Sequence, residues 1–263
     1  MAQQADGGGS GDRRLAGKVV LVTGGSSGIG RAIAVASARA GAGVALTYRE
    51  NAHGAAETAK LIAAAGQRAE IRRLDLGRTD TLEGFAKDLR ATLGGIDVWV
   101  NNAGADILTG KFRNLSRREK LDLVLDVDLR GTVLASWAAV DLMRAQGRGG
   151  LIINLSWDHV GQGMAGENPV LYSAAKGGIL SFSRSLARDV APDIRVNVIA
   201  PGFIATAFEQ EAPSGWRRQV TEATPLKRWG TPEDVAGAAV YLASDEAAFL
   251  TGQVIMVNGG VVM

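Results

Sequence analysis

The residues that most constrain the fold are 19–30, which read Val-Val-Leu-Val-Thr-Gly-Gly-Ser-Ser-Gly-Ile-Gly. The apolar residues 19–22, three of them β-branched, predict a strand buried on both faces, as in a parallel sheet. A glycine turn follows, and residues 31–40 predict a helix that ends at Gly41. This arrangement presents backbone N–H groups and a partial positive charge to an anion. Taken alone, the glycines are equally compatible with a turn that needs them only for its geometry.

Composition excludes several classes of function. The 263 residues, 46% of them hydrophobic, are enough for one large α/β domain. The chain has no cysteine and two histidines, which excludes disulfides and thiolate catalysis, and we predict no metal site. The arginines are scattered at a net charge of +2, so we expect no nucleic-acid partner. Without a membrane-length apolar run or a secretory signal, we expect a cytoplasmic protein with no membrane partner.

Strand and helix patterns alternate along the chain. Residues 1–14 are polar and glycine-rich and predict a disordered tail, and residues 15–263 predict one domain. After the first strand, we predict strands at 44–48, 69–74, 97–101, 151–156, 194–200 and 253–257. The helices between them are predicted at 52–65, 79–93, 116–145, 170–190 and 232–243. This alternation predicts an α/β fold with a doubly wound parallel sheet, the Rossmann fold.

One long segment, about residues 203–229, shows no clear periodicity. A segment of this length inside a compact domain is usually a lid or a binding loop. Its aromatic residues argue against a disordered insertion, because disordered segments contain few of them. They are Phe203, Phe208, Trp216 and Trp229.

A tyrosine and a lysine lie four residues apart in the helix predicted at 170–190. Tyr172 and Lys176 therefore share one face of that helix. A free phenol titrates near ~10, which is too high for acid–base work at neutral pH. A neighbouring ammonium would lower the pKa of Tyr172. On its own, the pair is better explained as a chance surface pair.

Four motifs in fixed order make the chain similar to a known family. They are Thr23-Gly24-x-x-x-Gly28-Ile29-Gly30, Asn101-Asn102-Ala103-Gly104, Tyr172-x-x-x-Lys176 and Pro201-Gly202-x-x-x-Thr206. Together they resemble the short-chain dehydrogenase/reductase superfamily over about residues 15–263. The resemblance implies a single-domain Rossmann fold that binds a nicotinamide cofactor. It implies that Tyr172 exchanges a proton with the substrate oxygen, and that Lys176 holds the ribose hydroxyls and lowers the tyrosine pKa.

The resemblance also implies a set of cofactor contacts. Asn101 and Gly104 would line the cofactor, Asp75 would meet the adenine and Thr206 the nicotinamide end. Pro225 and Gly230 would bracket the end of the substrate lid. The full predicted cofactor-binding set is Gly24, Ser26, Ser27, Gly28, Ile29, Gly30, Tyr48, Arg49, Asp75, Leu76, Asn102, Ala103, Gly104, Tyr172, Lys176, Pro201, Gly202, Ile204 and Thr206.

The end of the second predicted strand bears on which nicotinamide cofactor binds. Members selective for NAD place a carboxylate there for the ribose 2′-hydroxyl. Here the position is Tyr48, followed by Arg49, which can bond a 2′-phosphate. We therefore predict NADP(H). NAD(H) remains possible because Glu50 is close by, and Arg49 could also be a solvated loop residue.

Two positions depart from the family pattern. Where the family usually has an asparagine that seats a water in a proton relay, this chain has Asp128. The aspartate either holds the Lys176 ammonium and weakens its help to Tyr172, or is a conservative exchange.

The second departure follows the fifth predicted strand. The family pattern Asn-x-Ser-Ser reads here Asn154-Leu155-Ser156-Trp157. The donor that polarises the substrate oxygen is then Ser156, His159, a protonated Asp158, or absent, since Trp157 donates only through its indole N–H. We take Ser156 as the candidate, although it is also explained as the last residue of the strand.

Three functions follow from these residues. The first is an oxidoreductase that transfers a hydride between NADP(H) and a carbonyl or secondary alcohol of a small molecule, with Tyr172, Lys176, Ser156 and Asp128 as the catalytic set. The second is a dehydratase, isomerase or cyclase on the same scaffold, motivated by Trp157 and Asp128. The third is a non-enzymatic NADP(H)-binding protein. The apolar end of the chain and the resemblance imply a homotetramer or homodimer.

Overall fold

The structure is a computed structural model that describes residues 13–263, so the predicted tail lies outside the described residues except for its last two. The described residues form seven strands: β1 (Val19–Val22), β2 (Gly43–Tyr48), β3 (Ala69–Arg73), β4 (Val98–Asn101), β5 (Gly150–Leu155), β6 (Ile194–Pro201) and β7 (Val254–Val257). All pair in parallel, in the order β3-β2-β1-β4-β5-β6-β7. The predicted doubly wound fold is confirmed.

The α-helices of the same residues lie on both sides of this sheet. They are α1 (Gly28–Arg39), α2 (Ala52–Ala64), α3 (Leu82–Leu93), α4 (Arg117–Val124), α5 (Gly131–Gln146), α6 (Glu167–Asp189), α7 (Ala207–Glu211), α8 (Ser214–Ala223) and α9 (Pro232–Ala243). Short 3-10 helices occur at Thr79–Thr81, Gly110–Asn114, Asp158–Gly161 and Asp245–Ala247. None of the helices within residues 13–263 has the length and apolar character needed to cross a bilayer.

Strand β1 shows how the sequence builds two cores. Val20 and Val22 point into the core that the sheet shares with α1 and α9, and Leu21 points into the core under α5 and α6. All three side chains are buried, because successive residues of a strand face opposite sides. An uninterrupted apolar run is therefore what a strand covered by helices on both faces requires.

The strand order reverses direction next to β1, where the chain crosses from one half of the sheet to the other. Strand β1 pairs with β2 on one side and with β4 on the other. The loops after β1 and β4 therefore leave in opposite directions and open a crevice at the carboxyl edge of the sheet. Open α/β sheets bind their ligands in such a crevice.

Two segments differ from the sequence prediction. The predicted helix at 116–145 is α4 and α5 joined by a π-helical stretch, Leu125–Arg130. The predicted lid, about 203–229, contains two helices, α7 and α8. Its base is fixed because Phe203 and Ala205 exchange backbone hydrogen bonds with Gly230, at 3.0 and 2.8 Å.

Candidate active site

A cleft of about 930 Å³ follows the carboxyl edge of the sheet from the glycine loop to the lid. The full predicted cofactor-binding set lines it, and so does Ser156. Asn101, which the resemblance also predicts to line the cofactor, does not line the cleft, and neither does Asp128. Asn101 is instead buried at the end of β4, where its amide donates to Asn154 Oδ1 at 2.8 Å. The roles of the lining residues stay predictions.

The glycine loop needs its glycines for close packing. Gly24 has a φ of +68°, and a Cβ on Gly30 would overlap with the Gly24 carbonyl and the Asn102 amide. The Asn102 side chain donates to the Thr23 carbonyl at 2.9 Å, which ties the end of β4 to the end of β1. The loop is thus held in shape by the second of the four motifs.

The first turn of α1 presents its N–H groups without a side-chain cap. Ser27 stands at the N-cap position and makes no capping hydrogen bond. An uncapped helix start on a glycine loop fits a diphosphate, which accepts such N–H groups and is favoured by the helix dipole. The residues present therefore fit a dinucleotide.

Charged groups cluster where β2 ends. Arg49 Nε and Lys111 Nζ lie 3.6 and 3.5 Å from the Glu50 carboxylate. Both cations also lie over the Phe112 ring, at 5.5 and 4.9 Å from its centroid. Arg73 adds a third cation and donates to the Arg49 carbonyl at 3.1 Å. The three cations outnumber the Glu50 and Asp75 carboxylates, and Arg49 itself lines the cleft, so this end of the cleft suits an anionic group.

At the other end of the cleft, α6 presents Tyr172 and Lys176 one turn apart. The Tyr172 hydroxyl lies 3.5 Å from the Ala105 carbonyl. Lys176 is buried, with Nζ 3.0 Å from Asp128 Oδ2, 3.4 Å from the Leu155 carbonyl and 5.8 Å from the Tyr172 ring centroid. The lysine and Asp128 form an ion pair without the angles of a hydrogen bond, since Oδ2 has no hydrogen-bond partner among the described residues.

Asp128 lies next to Lys176 because the π-helical stretch carries it there and Gly104 leaves room for its carboxylate. It lies within Leu125–Arg130, is 1% exposed and accepts from the Ala105 N–H through Oδ1 at 2.6 Å. A Cβ on Gly104 would lie only 3.1 Å from Oδ2, so a larger residue there would crowd the carboxylate. The carboxylate thus joins the loop after β4 to α6.

The predicted lowering of the Tyr172 pKa is not what this arrangement of charges produces, because the net shift is upward. Burial raises the pKa of the Tyr172 phenol above its ordinary value, and the charges of Asp128 and Asp106 raise it further. The ammonium of Lys176 is paired with Asp128. The ion pair leaves burial and the two carboxylates as the main influences on the phenol.

The loop after β5 carries the candidate donors to the substrate oxygen, and only some of them line the cleft. The Ser156 hydroxyl donates to the Lys176 carbonyl at 2.8 Å, so its proton is held by α6. Asp158 and His159 are not among the cleft-lining residues, whereas Trp157 is. The indole of Trp157 lies edge-on to the Tyr172 ring, with the centroids 6.2 Å apart. At this position the cleft has an aromatic side chain where the family has a hydroxyl.

Sequence reasoning missed three groups at the site. The Ala105 carbonyl beside Tyr172 carries no side-chain signal, although it directly follows the Asn-Asn-Ala-Gly motif. Arg113 and Glu211 line the cleft and lie 3.8 Å apart, on the loop after β4 and on α7. No local pattern pairs residues so far apart in the chain. Within residues 13–263, no group of three or more histidine or acidic side chains could hold a metal ion.

The fold and cleft define a class: a parallel α/β protein with a dinucleotide site at the switch point of its sheet. A family model described as enoyl-(acyl carrier protein) reductase matches residues 24–262. The chain is 34% identical to 3beta-hydroxysteroid dehydrogenase 1 of Eggerthella lenta, covering 95% of both chains. It is 36% identical to a 3-oxoacyl-(acyl-carrier-protein) reductase of Aquifex aeolicus, covering 94% of this chain and 98% of the other.

A solved structure agrees with these relatives. The crystal structure of a putative short-chain alcohol dehydrogenase from Sinorhizobium meliloti 1021 superposes with a TM-score of 0.84 at 38% identity, covering 94% of this chain and 97% of that one. The chain belongs to the short-chain dehydrogenase/reductase family. It is an oxidoreductase, and the cofactor of its family is a nicotinamide dinucleotide.

Proposed function

We propose that the protein is an NADP(H)-dependent oxidoreductase that interconverts a carbonyl and a secondary alcohol of a small molecule, with Tyr172 as the general acid and base. The observation that carries this proposal is the Tyr172 phenol in the cleft, one helical turn from a lysine that is itself fixed by Asp128. The phenol carries a proton that it can give to the substrate oxygen in reduction and take back in oxidation.

In reduction, Tyr172 gives its proton to the substrate oxygen as that oxygen gains negative charge. A nicotinamide held in the cleft would supply the hydride that the carbonyl carbon receives. The Lys176 ammonium lies 5.8 Å from the tyrosine ring and stabilises the phenolate left behind until solvent returns the proton. Lys176 would also bond the ribose hydroxyls of a bound cofactor, and Asp128 fixes the position of its ammonium. Ser156, which donates to the Lys176 carbonyl, acts through α6 as a positioning residue.

The charges at the end of β2 support NADP(H) over NAD(H). Glu50 is the carboxylate that could bind a ribose 2′-hydroxyl, yet it is paired with Arg49 and Lys111. A 2′-phosphate would displace Glu50 from these cations and gain charge-assisted hydrogen bonds. The adenine would lie against Asp75 and Leu76, which line this end of the cleft.

Apolar side chains on the outer helices support a homotetramer or homodimer. Trp137 of α5 and Val170 of α6 are each 52% exposed, although both are large and apolar. Such side chains favour burial against a second copy of the chain. Light scattering on the purified protein measures the assembly, and a monomer at micromolar concentration would contradict this proposal.

The second candidate is non-redox chemistry on the same scaffold. Trp157 lines the cleft in place of the usual serine, and the Ser156 hydroxyl donates to the Lys176 carbonyl, which favours a changed chemistry. The names of the relatives, which are dehydrogenases and reductases, favour the redox function over this one and over a protein that only binds the cofactor.

The test follows nicotinamide absorbance and product together, over a panel of ketones and alcohols. The proposal expects one reduced nicotinamide consumed for each alcohol formed, with NADPH preferred to NADH. Product without net nicotinamide oxidation would instead support the second candidate. Cofactor binding with no turnover of any substrate would contradict both.

A further inference from the structure

Resting on the proposed function, we infer that the substrate is a neutral ketone carried on a flat, apolar ring system, which packs against an aromatic wall beyond Tyr172. The aromatic wall consists of Trp157, Phe203, Phe208 and Trp216, all of which line the cleft. Trp157 comes from the loop after β5, Phe203 from the base of the lid, and the other two from α7 and α8. Ring faces on several sides of a site bury a flat ligand with little loss of conformational entropy.

Phe203 and Phe208 pack against Trp216. Trp157 packs on His159, which contacts Phe203, so the rings are in place before a ligand arrives. Phe203 lies edge-on to Trp216, with the centroids 5.2 Å apart, and Phe208 lies edge-on to Trp216 at 5.5 Å. Trp229 packs against all three rings, and its centroid lies 5.5 Å from that of Trp216. The Trp229 indole N–H donates to the Arg217 carbonyl at 3.2 Å. A preorganised wall of this kind selects ligands by shape.

A buried carboxylate fixes the Trp157 face. The Trp157 indole stacks on the His159 ring, with centroids 5.0 Å apart and planes at 23°. His159 Nδ1 in turn lies 2.7 Å from Asp158 Oδ1. Asp158 is 1% exposed, and its Oδ2 has no hydrogen-bond partner among residues 13–263. Burying a carboxylate with one unbonded oxygen costs folding free energy. Through His159, this carboxylate holds the Trp157 ring in its position in the cleft lining.

Polar side chains at this end of the cleft already have partners within the protein. Arg113 and Glu211 lie 3.8 Å from one another, and the Asn168 amide oxygen accepts from Lys120 at 3.2 Å. A polyol would bury hydroxyls against ring faces that cannot bond them, at a cost for each unpaired group. A neutral ring ketone needs only one polar contact, at Tyr172.

The experiment compares two ten-carbon ketones, the fused-ring β-tetralone and the open-chain methyl octyl ketone, with glucose oxidation as the polyol arm. We expect kcat/KM for β-tetralone to exceed that for methyl octyl ketone by about tenfold or more, with no glucose oxidation. The matched variants are Trp157→Phe, which keeps a ring, and Trp157→Leu, which keeps only apolar volume. Trp157→Leu should lower the ring preference by about tenfold, mainly through KM, and Trp157→Phe should retain most of it.

Quenching of tryptophan fluorescence by β-tetralone gives a binding readout that is independent of turnover. Saturable quenching of the remaining tryptophans whose midpoint moves to a higher β-tetralone concentration in Trp157→Leu supports the inference. Equal kcat/KM for the two ketones, or faster glucose oxidation, would overturn it while leaving the proposed oxidoreductase function in place. A chain that binds NADPH and reduces no ketone at all would contradict the proposed function itself.

Discussion

Replacing Asp128 with asparagine removes one negative charge from beneath Tyr172 and Lys176. The carboxylate Oδ2 lies 3.0 Å from Lys176 Nζ, and Nζ lies 5.8 Å from the Tyr172 ring centroid. Oδ2 is therefore no more than about 9 Å from that centroid. At an effective dielectric constant of about 20, a unit charge at that distance contributes about 2 kcal/mol, or about 1.4 pKa units. Asp128→Asn should lower the pKa of Tyr172 by about this amount.

The assay is the pH profile of alcohol oxidation, the direction that needs the phenolate. Since Asp128 raises the pKa of Tyr172, its removal should move the acid limb of kcat/KM to lower pH by about 1 to 1.5 units. Asp106→Asn is the matched control, because the Asp106 carboxylate also raises the pKa of Tyr172, but by less than Asp128 does. Its shift should be in the same direction and smaller.

The same variant should lose stability. An amide keeps one oxygen, so either the Ala105 N–H or the Lys176 ammonium loses its acceptor, at a cost of about 1–3 kcal/mol measured by denaturant unfolding. A profile that stays in place or moves to higher pH in Asp128→Asn would refute the electrostatic reasoning. An equal shift in Asp106→Asn would assign the effect to general charge and not to this carboxylate.

Three further predictions concern other parts of the molecule. Arg49→Ala should raise KM for NADPH about tenfold or more and leave KM for NADH nearly unchanged, and equal changes for both would contradict the 2′-phosphate contact. Gly30→Ala should abolish cofactor binding measured by NADPH fluorescence, because its methyl group overlaps with the Gly24 carbonyl. Asp234→Asn should lower stability by about 1 kcal/mol near neutral pH, since Asp234 pairs with Arg228 at the surface. The ion pair with Arg228 and the hydrogen bonds of the α9 cap lower the pKa of Asp234 to about 2. The stability difference between wild type and variant should therefore be complete above about pH 4, the pKa of an unfolded aspartate, and should shrink toward pH 2. A difference that does not depend on pH would contradict this prediction.

The local part of the fold was predictable from the sequence. Residues 19–22 form a strand buried on both faces because their apolar run has no polar alternation, and the glycine loop and α1 follow as their residue types require. Tyr172 and Lys176 share a helix face because they are four residues apart. These features depend on neighbours in sequence.

The parts that could not be predicted depend on contacts between distant segments. The pKa of Tyr172 depends on Asp128, which lies 44 residues earlier and reaches the site through a π-helical stretch that no periodicity indicates. The Ser156 hydroxyl turns to the Lys176 carbonyl, which only the packing of α6 on β5 determines. The short lid helices α7 and α8 are stabilised by packing among aromatic rings, more than by their own helical pattern.

The most direct measurement is ketone reduction by Tyr172→Phe, which removes the hydroxyl and keeps the ring that packs against Trp157. We expect kcat to fall by about 10²- to 10⁴-fold, the usual contribution of a positioned proton donor, while NADPH binding measured by fluorescence changes less than about twofold. A Tyr172→Phe enzyme that reduces ketone at the wild-type rate, with NADPH bound equally well, would contradict proton transfer by this phenol.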